Sequence, residues 1–252
     1  MTAAPVSTLQ FWQPASSAAW PWLRARVSMR HGGTSPAPYT SLNLGLSTGD
    51  RVESVQENRR RVQQALGLEP GRMHTLHQVH GSDIYQAPTP AREGDGLWTA
   101  APGDVLVVGI ADCVPVFAWD DDARRIALVH AGWRGTAAGI LARALTELQR
   151  QGSRPEHLHV ALGPSIGPCC YTVGVDTAAQ FPAAAVQAEA EGCRLDLRAA
   201  NRLQAEEMGL LPQHIESDPP CTGCNRGDFF SHRMEDGRTG RLWALLWMPV
   251  EG

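Results

Sequence analysis

The sequence predicts a single α/β domain over residues 22–252, preceded by an N-terminal arm over residues 1–21. Two kinds of segment alternate along the chain: short apolar runs typical of strands, and longer runs whose apolar residues recur at helical spacing. No internal repeat or linker divides these segments. A chain of 252 residues is long enough to bury one large core without disulfide bonds.

The first half of the chain is predicted to hold one helix between strands. The segment 22–30 is typical of a strand and leads into a long polar loop. Asp50 and Glu53 form a capping-box pattern, and helical spacing then continues to Leu66, before Gly67. Three further strands are predicted in MHTLHQVHG (73–81), DVLVVGI (104–110) and VPVFAWD (114–120).

The second half is predicted to alternate strands and helices. Strand-type runs are ARRIALVH (123–130), HLHVALGPSIG (157–167), which ends in a loop, and RLWALLWMP (241–249). Helical spacing predicts a helix in TAAGILARALTELQRQG (136–152), an alanine-rich helical region over roughly 176–190 and a short helix near 199–208.

Composition excludes several classes of function. The net charge of −4 provides no basic field for nucleic acid. All 22 basic residues are arginine, which excludes Schiff-base chemistry, lysine-anchored pyridoxal phosphate and a P-loop lysine. An anion site must therefore use arginine or backbone N–H groups. No signal peptide or membrane span is expected, and the cysteine pattern favours a reduced, cytoplasmic protein.

Three short segments place soft metal ligands at strand ends beside small residues. They are HQVHG with His77 and His80, ADCVPV with Cys113, and VHAGWRG with His130. Taken singly, each is more often a buried structural residue. Consecutive strands are usually neighbours, so these ends can meet at one sheet edge. Two imidazoles and one thiolate suit Zn²⁺ and leave a fourth position open, as in catalytic sites.

These segments also resemble the YfiH family of multicopper polyphenol oxidase (laccase) domain proteins, also called peptidoglycan editing factors. The resemblance covers about residues 25–248 and is carried by SLNLG, HQVHG, GDGL, ADCVPV, VHAGWRG, GPSIGPCCY and FFSHR…GRTGR. It implies a layered αββα fold and a zinc-dependent purine nucleoside phosphorylase. That enzyme would act on purine nucleosides and phosphate, deaminate adenosine and cleave methylthioadenosine. The implied zinc ligands are His80, Cys113 and His130.

Further residues are candidates for roles around this site. Asp95 is either a general acid or base, a partner of a ligand histidine, or part of a plain Asp-Gly turn. His77 is a partner of the ligands, a replacement ligand, or a residue outside the site. The candidate substrate-binding residues, each with a structural alternative in its own loop, turn or helix surface, are Ser41, Asn43, Arg59, Asp112 and Arg134. Arg233 and Arg238 are further anion candidates.

The resemblance has departures, and the sequence has other metal-capable residues. Thr172 stands where the family often has Glu, and His232 where Tyr is common, which affects specificity rather than metal binding. The cysteines outside the ligand set are expected to be packed, reduced thiols: Cys169, Cys170, Cys221 and Cys224. Because adjacent residues in an extended chain face opposite ways, a second zinc on these four is disfavoured.

Three other functions remain open at this stage. The first is a copper-dependent polyphenol oxidase, although nine histidines leave few for a multicopper set. Copper is still expected to occupy a His-Cys-His site in vitro, because its affinity exceeds that of zinc. The second is an amidase acting on peptidoglycan precursors, with Cys113 as nucleophile and His130 as base. The third is a nucleotide-binding regulatory protein.

Overall fold

The computed structural model describes residues 9–250, which form five α-helices and three β-sheets. The helices are α1 (Val52–Leu66), α2 (Trp133–Ala137), α3 (Ile140–Arg150), α4 (Val175–Ala178) and α5 (Leu197–Glu207). Within the described range no helix is both long enough and apolar enough to cross a membrane.

The strands are mostly short, and the longest lie at the centre of the fold. They are β1 (Phe11–Trp12), β2 (Arg24–Ser28), β3 (Met73–His74), β4 (Ile84–Gln86), β5 (Gly96–Thr99), β6 (Val105–Ile110), β7 (Val114–Asp120), β8 (Ile126–Ala131), β9 (Leu158–Leu162), β10 (Thr172–Val173), β11 (Val186–Ala188), β12 (Cys193–Leu195), β13 (Ile215–Glu216) and β14 (Leu242–Trp247).

Two large mixed sheets pack face to face, with helices on their outer faces. One sheet has the order β1-β2-β14-β6-β3 and the other β13-β9-β7-β8-β5-β4, while β10-β12-β11 form a small third sheet. Alternate residues of the central strands point to opposite faces. On β7, for example, Phe117 and Trp119 fill the core between the sheets, whereas Val116 faces the core beneath α3 and α5. A third core lies between α1 and the first sheet. The αββα layering implied by the resemblance is confirmed.

The start of α1 differs from the sequence prediction. The helix begins at Val52 and its N-cap is Arg51, with no side-chain cap, so the predicted capping box is wrong. The reason is that the Asp50 carboxylate is engaged elsewhere. Its two oxygens accept hydrogen bonds from the Arg51 N–H (2.7 Å) and from the side-chain amide of Asn43 (2.9 Å).

Two other predicted helices are interrupted. The one over 136–152 is two helices, because Gly139 adopts a left-handed φ of 73° that breaks the ladder between α2 and α3. The alanine-rich region over 176–190 is wrong as a helix. Only Val175–Ala178 is α-helical there, because Pro182 disfavours helical backbone at the residue before it, and the chain then turns into β11.

The segment 73–81 and the N-terminal arm both differ from the sequence prediction. Of the segment 73–81, only Met73–His74 is a strand, and the remainder is a loop that carries His80. In the predicted N-terminal arm, the described residues include Phe11–Trp12, which pair antiparallel with β2. Residues 1–8 of that arm lie outside the described range.

Candidate active site

The three metal-capable side chains predicted from the sequence lie together. The ligand atoms of His80, Cys113 and His130 are all within 4.8 Å of one another. Cys113 occupies the turn between β6 and β7, and His130 lies near the end of β8. Because β7 and β8 are antiparallel, with Val114 opposite Ala131, the start of one strand meets the end of the other. The loop after β3 brings His80 to the same point.

Gly132 allows this convergence by leaving space. A methyl group on Gly132 would lie 3.0 Å from Cys113 Sγ and 3.1 Å from His80 Cδ2, which is closer than ordinary van der Waals contact. The glycine of the VHAGWRG motif therefore has a packing role next to the ligands. It also serves as the N-cap of α2, so the helix starts directly beside the cluster.

A single buried carboxylate organises both histidines. Asp95 is 1% exposed, and its Oδ1 is hydrogen-bonded to His130 Nδ1 at 2.8 Å. The carboxylate also accepts the backbone N–H groups of Val79, His80 and Gly81 at 3.2, 3.1 and 2.7 Å. This leaves the other ring nitrogen of His130, Nε2, for a metal. Orientation of a ligand histidine by a carboxylate is typical of metal sites.

The loop that carries His80 is fixed at a second point. The Gln78 side-chain amide donates to the Gly109 carbonyl (2.8 Å), and its oxygen accepts the Gly109 N–H (2.7 Å). His80 itself has a φ of 59°, in the left-handed region that is uncommon for residues other than glycine. The bonds from Asp95 and Gln78 hold the loop in this conformation and so fix the position of His80.

Electrostatics within the cluster favour a thiolate. Burial alone would raise the pKa of the Cys113 thiol, but the charge of His130 and hydrogen bonds from both histidines lower this pKa to about 6. Burial likewise would lower the pKa of His130, but the Cys113 thiolate and Asp95 raise it to about 9. The cluster therefore holds an ionised sulfur, which is the form that binds metals.

The cluster lies in the wall of a cavity of about 690 Å³. This volume is within the range of small-molecule sites. The cavity is lined by three aromatic side chains (Trp133, Tyr171 and Trp243), four arginines (Arg59, Arg134, Arg233 and Arg241) and the imidazoles of His77, His80, His130 and His232. Such a lining combines flat apolar surface with concentrated positive charge around the metal-capable cluster.

The four arginines differ in how far they are already engaged. Arg59 donates to the Leu44 carbonyl, and Arg233 to the Thr172 carbonyl. Arg241 donates to two carbonyls of the loop before β14. The Arg134 guanidinium, in contrast, stacks on the Trp133 ring at 4.4 Å and makes no hydrogen bond or ion pair with another described residue. Its donors are therefore available to an anion.

Arg134 and Arg233 both lie near Tyr171. Burial raises the pKa of the Tyr171 phenol, while the positive charges of Arg233 and Arg134 oppose this rise. The Arg233 guanidinium lies 4.7 Å from the centre of the Tyr171 ring. This part of the cavity wall therefore has two cations beside one aromatic ring.

Two predicted substrate-binding residues do not line the cavity. Ser41 Oγ accepts the Gly33 N–H (3.0 Å) and is engaged within its own loop. The Asn43 side chain is fully buried and accepts the N–H groups of Gly45 and Arg241 at 3.0 and 2.8 Å. Asn43 thereby holds in place the backbone of Arg241, which does line the cavity.

Asp112 lines the cavity, but both of its carboxylate oxygens are already bonded. One accepts the Thr222 hydroxyl at 2.6 Å, and the other accepts the Arg233 backbone N–H at 2.7 Å. Asp112 has a φ of 84°, so the backbone directly before Cys113 is in an uncommon conformation. Its carboxylate ties the turn that carries Cys113 to two segments of the C-terminal loop.

Arg241 lines the cavity although it is not among the residues predicted from the sequence. It is the final arginine of the GRTGR segment, whose predicted anion candidate, Arg238, does not line the cavity. The position of Arg241 in the chain is the signal that points to the cavity, because this residue directly precedes the buried central strand β14. His77 lines the cavity without belonging to the three-residue cluster.

The chain is similar to known proteins and solved structures over most of its length. Residues 24–249 match the family described as multi-copper polyphenol oxidoreductase laccase. The chain belongs to the YfiH family. The purine nucleoside phosphorylase YlmD of Geobacillus stearothermophilus is 38% identical over 243 residues, covering 88% of this chain and 89% of that protein. A purine nucleoside phosphorylase of Deinococcus radiodurans is 41% identical over 225 residues, covering 87% of each.

Solved structures of YfiH-family proteins share the fold. The crystal structure of YlmD from Geobacillus stearothermophilus aligns with a TM-score of 0.89 at 36% identity, covering 95% of this chain and 99% of that one. The crystal structure of the Bacillus licheniformis hypothetical protein YfiH aligns with a TM-score of 0.86 at 33% identity, covering 91% and 94%.

The family is described as a multicopper oxidase, but the described side chains of this protein give little support for that activity. Within residues 9–250, only two groups of three or more His, Cys, Asp or Glu side chains lie close enough to share a metal ion. One is the cluster described above and the other contains cysteines alone. A multicopper oxidase requires a further histidine-rich cluster in addition to a His-Cys-His site.

Proposed function

We propose that this chain is a zinc-dependent purine nucleoside phosphorylase that also deaminates adenosine. The observation that carries the proposal is the cavity, in which a two-histidine, one-cysteine cluster, aromatic walls and four arginines meet. The YfiH-family relatives named purine nucleoside phosphorylase support the same reaction.

The donor set of the cluster fits zinc. His80, Cys113 and His130 would hold the ion, and a set of three protein ligands leaves one position for a small molecule. Asp95 contributes by orienting His130 and the loop of His80, rather than by contact with the substrate. When bound, zinc would supply Lewis acidity to a polar group of the substrate or to water in the cavity.

The remaining lining suits the other parts of the substrates. Trp133, Tyr171 and Trp243 provide flat surfaces for a purine and the apolar face of a ribose. We assign phosphate to Arg134, with Arg233 beside it, because Arg134 has uncommitted donors. Arginine is well suited to this task, since its planar guanidinium binds phosphate oxygens in pairs.

Two reactions would use this one cavity. In phosphorolysis, a phosphate oxygen bonds to C1′ while the C1′–N9 bond breaks, and the electron pair leaves with the purine, which takes up a proton. Adenosine, inosine and methylthioadenosine all have this bond. In deamination, water replaces the C6 amino group of adenosine, and ammonia leaves. Phosphate is required only for the first reaction.

The direct test is to incubate metal-assayed protein with adenosine, with and without phosphate, and to identify the products by chromatography and mass spectrometry. Adenine and ribose 1-phosphate are expected only with phosphate, and inosine is expected without it. Absence of both products from protein that contains its metal would reject the proposal.

An Arg134→Ala variant tests the phosphate assignment. Because a hydrogen bond to a charged group is worth about 1.5–3 kcal/mol, we expect the KM for phosphate to rise roughly 10- to 100-fold. Deamination of adenosine without phosphate should fall much less. Arg202→Ala, on the exposed face of α5 where Arg202 pairs with Glu206, is the matched control. An unchanged KM for phosphate in Arg134→Ala would move the assignment to the other cavity arginines.

A second candidate is hydrolysis of an amide in a peptidoglycan precursor. The observation that favours it is the Cys113 thiol, whose pKa of about 6 and contact with His130 suit a nucleophile and base. The two candidates differ in metal dependence, because a zinc-bound thiolate is not a free nucleophile. Precursor hydrolysis that persists after a chelator has removed the metal would favour the amidase.

A further inference from the structure

A second group of soft ligands lies outside the cluster described above. The Sγ atoms of Cys169, Cys170, Cys221 and Cys224 are all within 4.8 Å of one another. Cys169 Sγ lies 3.5 Å from Cys221 Sγ and 3.4 Å from Cys224 Sγ, and Cys170 Sγ lies 3.5 Å from Cys224 Sγ. All four cysteines are free. The resemblance assigns none of the four a role, and the proposed function does not use them.

The local backbone explains why adjacent cysteines can converge. In an extended chain, as expected from the sequence, Cys169 and Cys170 would face opposite ways. Instead Pro168–Cys170 forms one turn of 3₁₀-helix, so both thiols reach the same centre, and that expectation is wrong. The other pair, Cys221 and Cys224, follows the C-x-x-C spacing common in zinc sites.

The backbone holds the two cysteine-bearing loops together. Ser165 donates its N–H to the Pro220 carbonyl at 3.3 Å, and its own carbonyl accepts the Thr222 N–H at 3.0 Å. The Gly167 N–H points to Cys221 Sγ at 3.2 Å. An N–H directed at sulfur stabilises a thiolate, which is the form required of a metal ligand.

The distances fit one tetrahedral ion. A Zn–S distance of about 2.3 Å places tetrahedral sulfurs about 3.8 Å apart, close to the separations observed here. An iron–sulfur cluster fits less well, because its thiolates bind different iron atoms and so lie further apart. We propose that Cys169, Cys170, Cys221 and Cys224 bind a structural Zn²⁺, distinct from the metal at His80, Cys113 and His130.

The position of this site gives it a structural purpose. Tyr171, directly after Cys170, lines the cavity, and Thr222, directly after Cys221, donates to Asp112. An ion held by four thiolates would therefore tie the loop that carries Tyr171, a cavity residue, to the loop whose Thr222 holds Asp112. A closed tetrathiolate site has no open position and contributes to folding rather than to chemistry.

The test is the metal content of the full-length chain, measured by elemental analysis after zinc-replete expression. We expect Cys113→Ser to retain one zinc per chain, the ion held by the four cysteines. We expect Cys224→Ser to lose this four-cysteine ion. Cys224 is exposed, so the serine side chain itself leaves no buried cavity, and far-ultraviolet circular dichroism checks that the variant is folded when its metal is measured. Cys193→Ser, which alters a buried cysteine outside both groups, is the matched control and should keep the wild-type content.

Two further measurements complete the test. In cobalt-substituted protein, the intense absorption of a tetrathiolate site should persist in Cys113→Ser and disappear in Cys224→Ser. The exposed thiols of Cys169 and Cys224 should react with a thiol reagent only after a chelator is added. The proposal is overturned by zinc-free Cys113→Ser, by iron in place of zinc, or by disulfides among these four cysteines in freshly purified protein.

Discussion

Cys113→Ala is expected to lose one metal ion per chain and nearly all turnover of purine nucleosides. The thiol is in contact with both histidines of the cluster and is the only anionic donor among the three ligands. Loss of a group that merely orients a ligand lowers metal affinity or activity by about 10- to 100-fold, so loss of a ligand should exceed that range.

The measurement is zinc per chain together with the rates of phosphorolysis and deamination. Cys193→Ala is the control for removal of a buried thiol, since Cys193 lies on β12 outside both metal-capable groups. Because the four-cysteine site is proposed to hold its own ion, the criterion is the loss of one ion relative to the wild type. Full metal retention by Cys113→Ala would contradict the ligand assignment.

Asp95→Asn is expected to have the next largest effect. The carboxylate is hydrogen-bonded to His130 Nδ1 and to three backbone N–H groups at the same time. An amide has one acceptor oxygen, so its NH₂ group would face donors that need an acceptor. Each buried donor left unsatisfied costs about 1–3 kcal/mol. For a chain of this size, each kcal/mol lowers the melting temperature by roughly 2–4 °C.

Metal affinity separates a positioning role from simple loss of stability. Because Asp95 orients both histidines, we expect the folded variant to bind zinc about 10- to 100-fold more weakly. Competition with a chelator at a temperature well below the melting point measures this affinity. Asp83→Asn, a nearby and exposed replacement of the same kind, should change neither quantity. A lower melting temperature with unchanged zinc affinity would mean that Asp95 acts on the fold alone.

Much of the framework was accessible from the sequence. The buried strands β6 and β7, the helix α1 up to Gly67 and the final strand β14 follow from apolar periodicity and a glycine stop. The metal-capable group was accessible because His80, Cys113 and His130 each lie beside small residues where an apolar run ends. Chemistry that depends on residue type and short spacing can be predicted from short segments of the sequence.

What the sequence left open involves partners that are distant along the chain. It offered three roles for Asp95, and the structure places it against the loop of His80, 15 residues earlier, and against His130, 35 residues later. It offered binding roles for Ser41 and Asn43, whose side chains are engaged by their own loop and by the backbone of Arg241. A side chain with several donors or acceptors satisfies whichever neighbours the fold supplies.

The sequence by itself determined the metal-capable residue types, the helix α1 up to Gly67, the strands β6, β7 and β14, and the exclusion of lysine chemistry. Only the tertiary structure decided which charges and thiols share one space. The four-cysteine group shows the physical reason most directly. A single 3₁₀ turn at Pro168–Cys170 reverses the facing expected of an extended chain, and 52 residues separate Cys169 from its neighbour Cys221. The local sequence determines which ligand groups a segment carries. Packing between segments that are distant in the chain determines which other groups lie beside them.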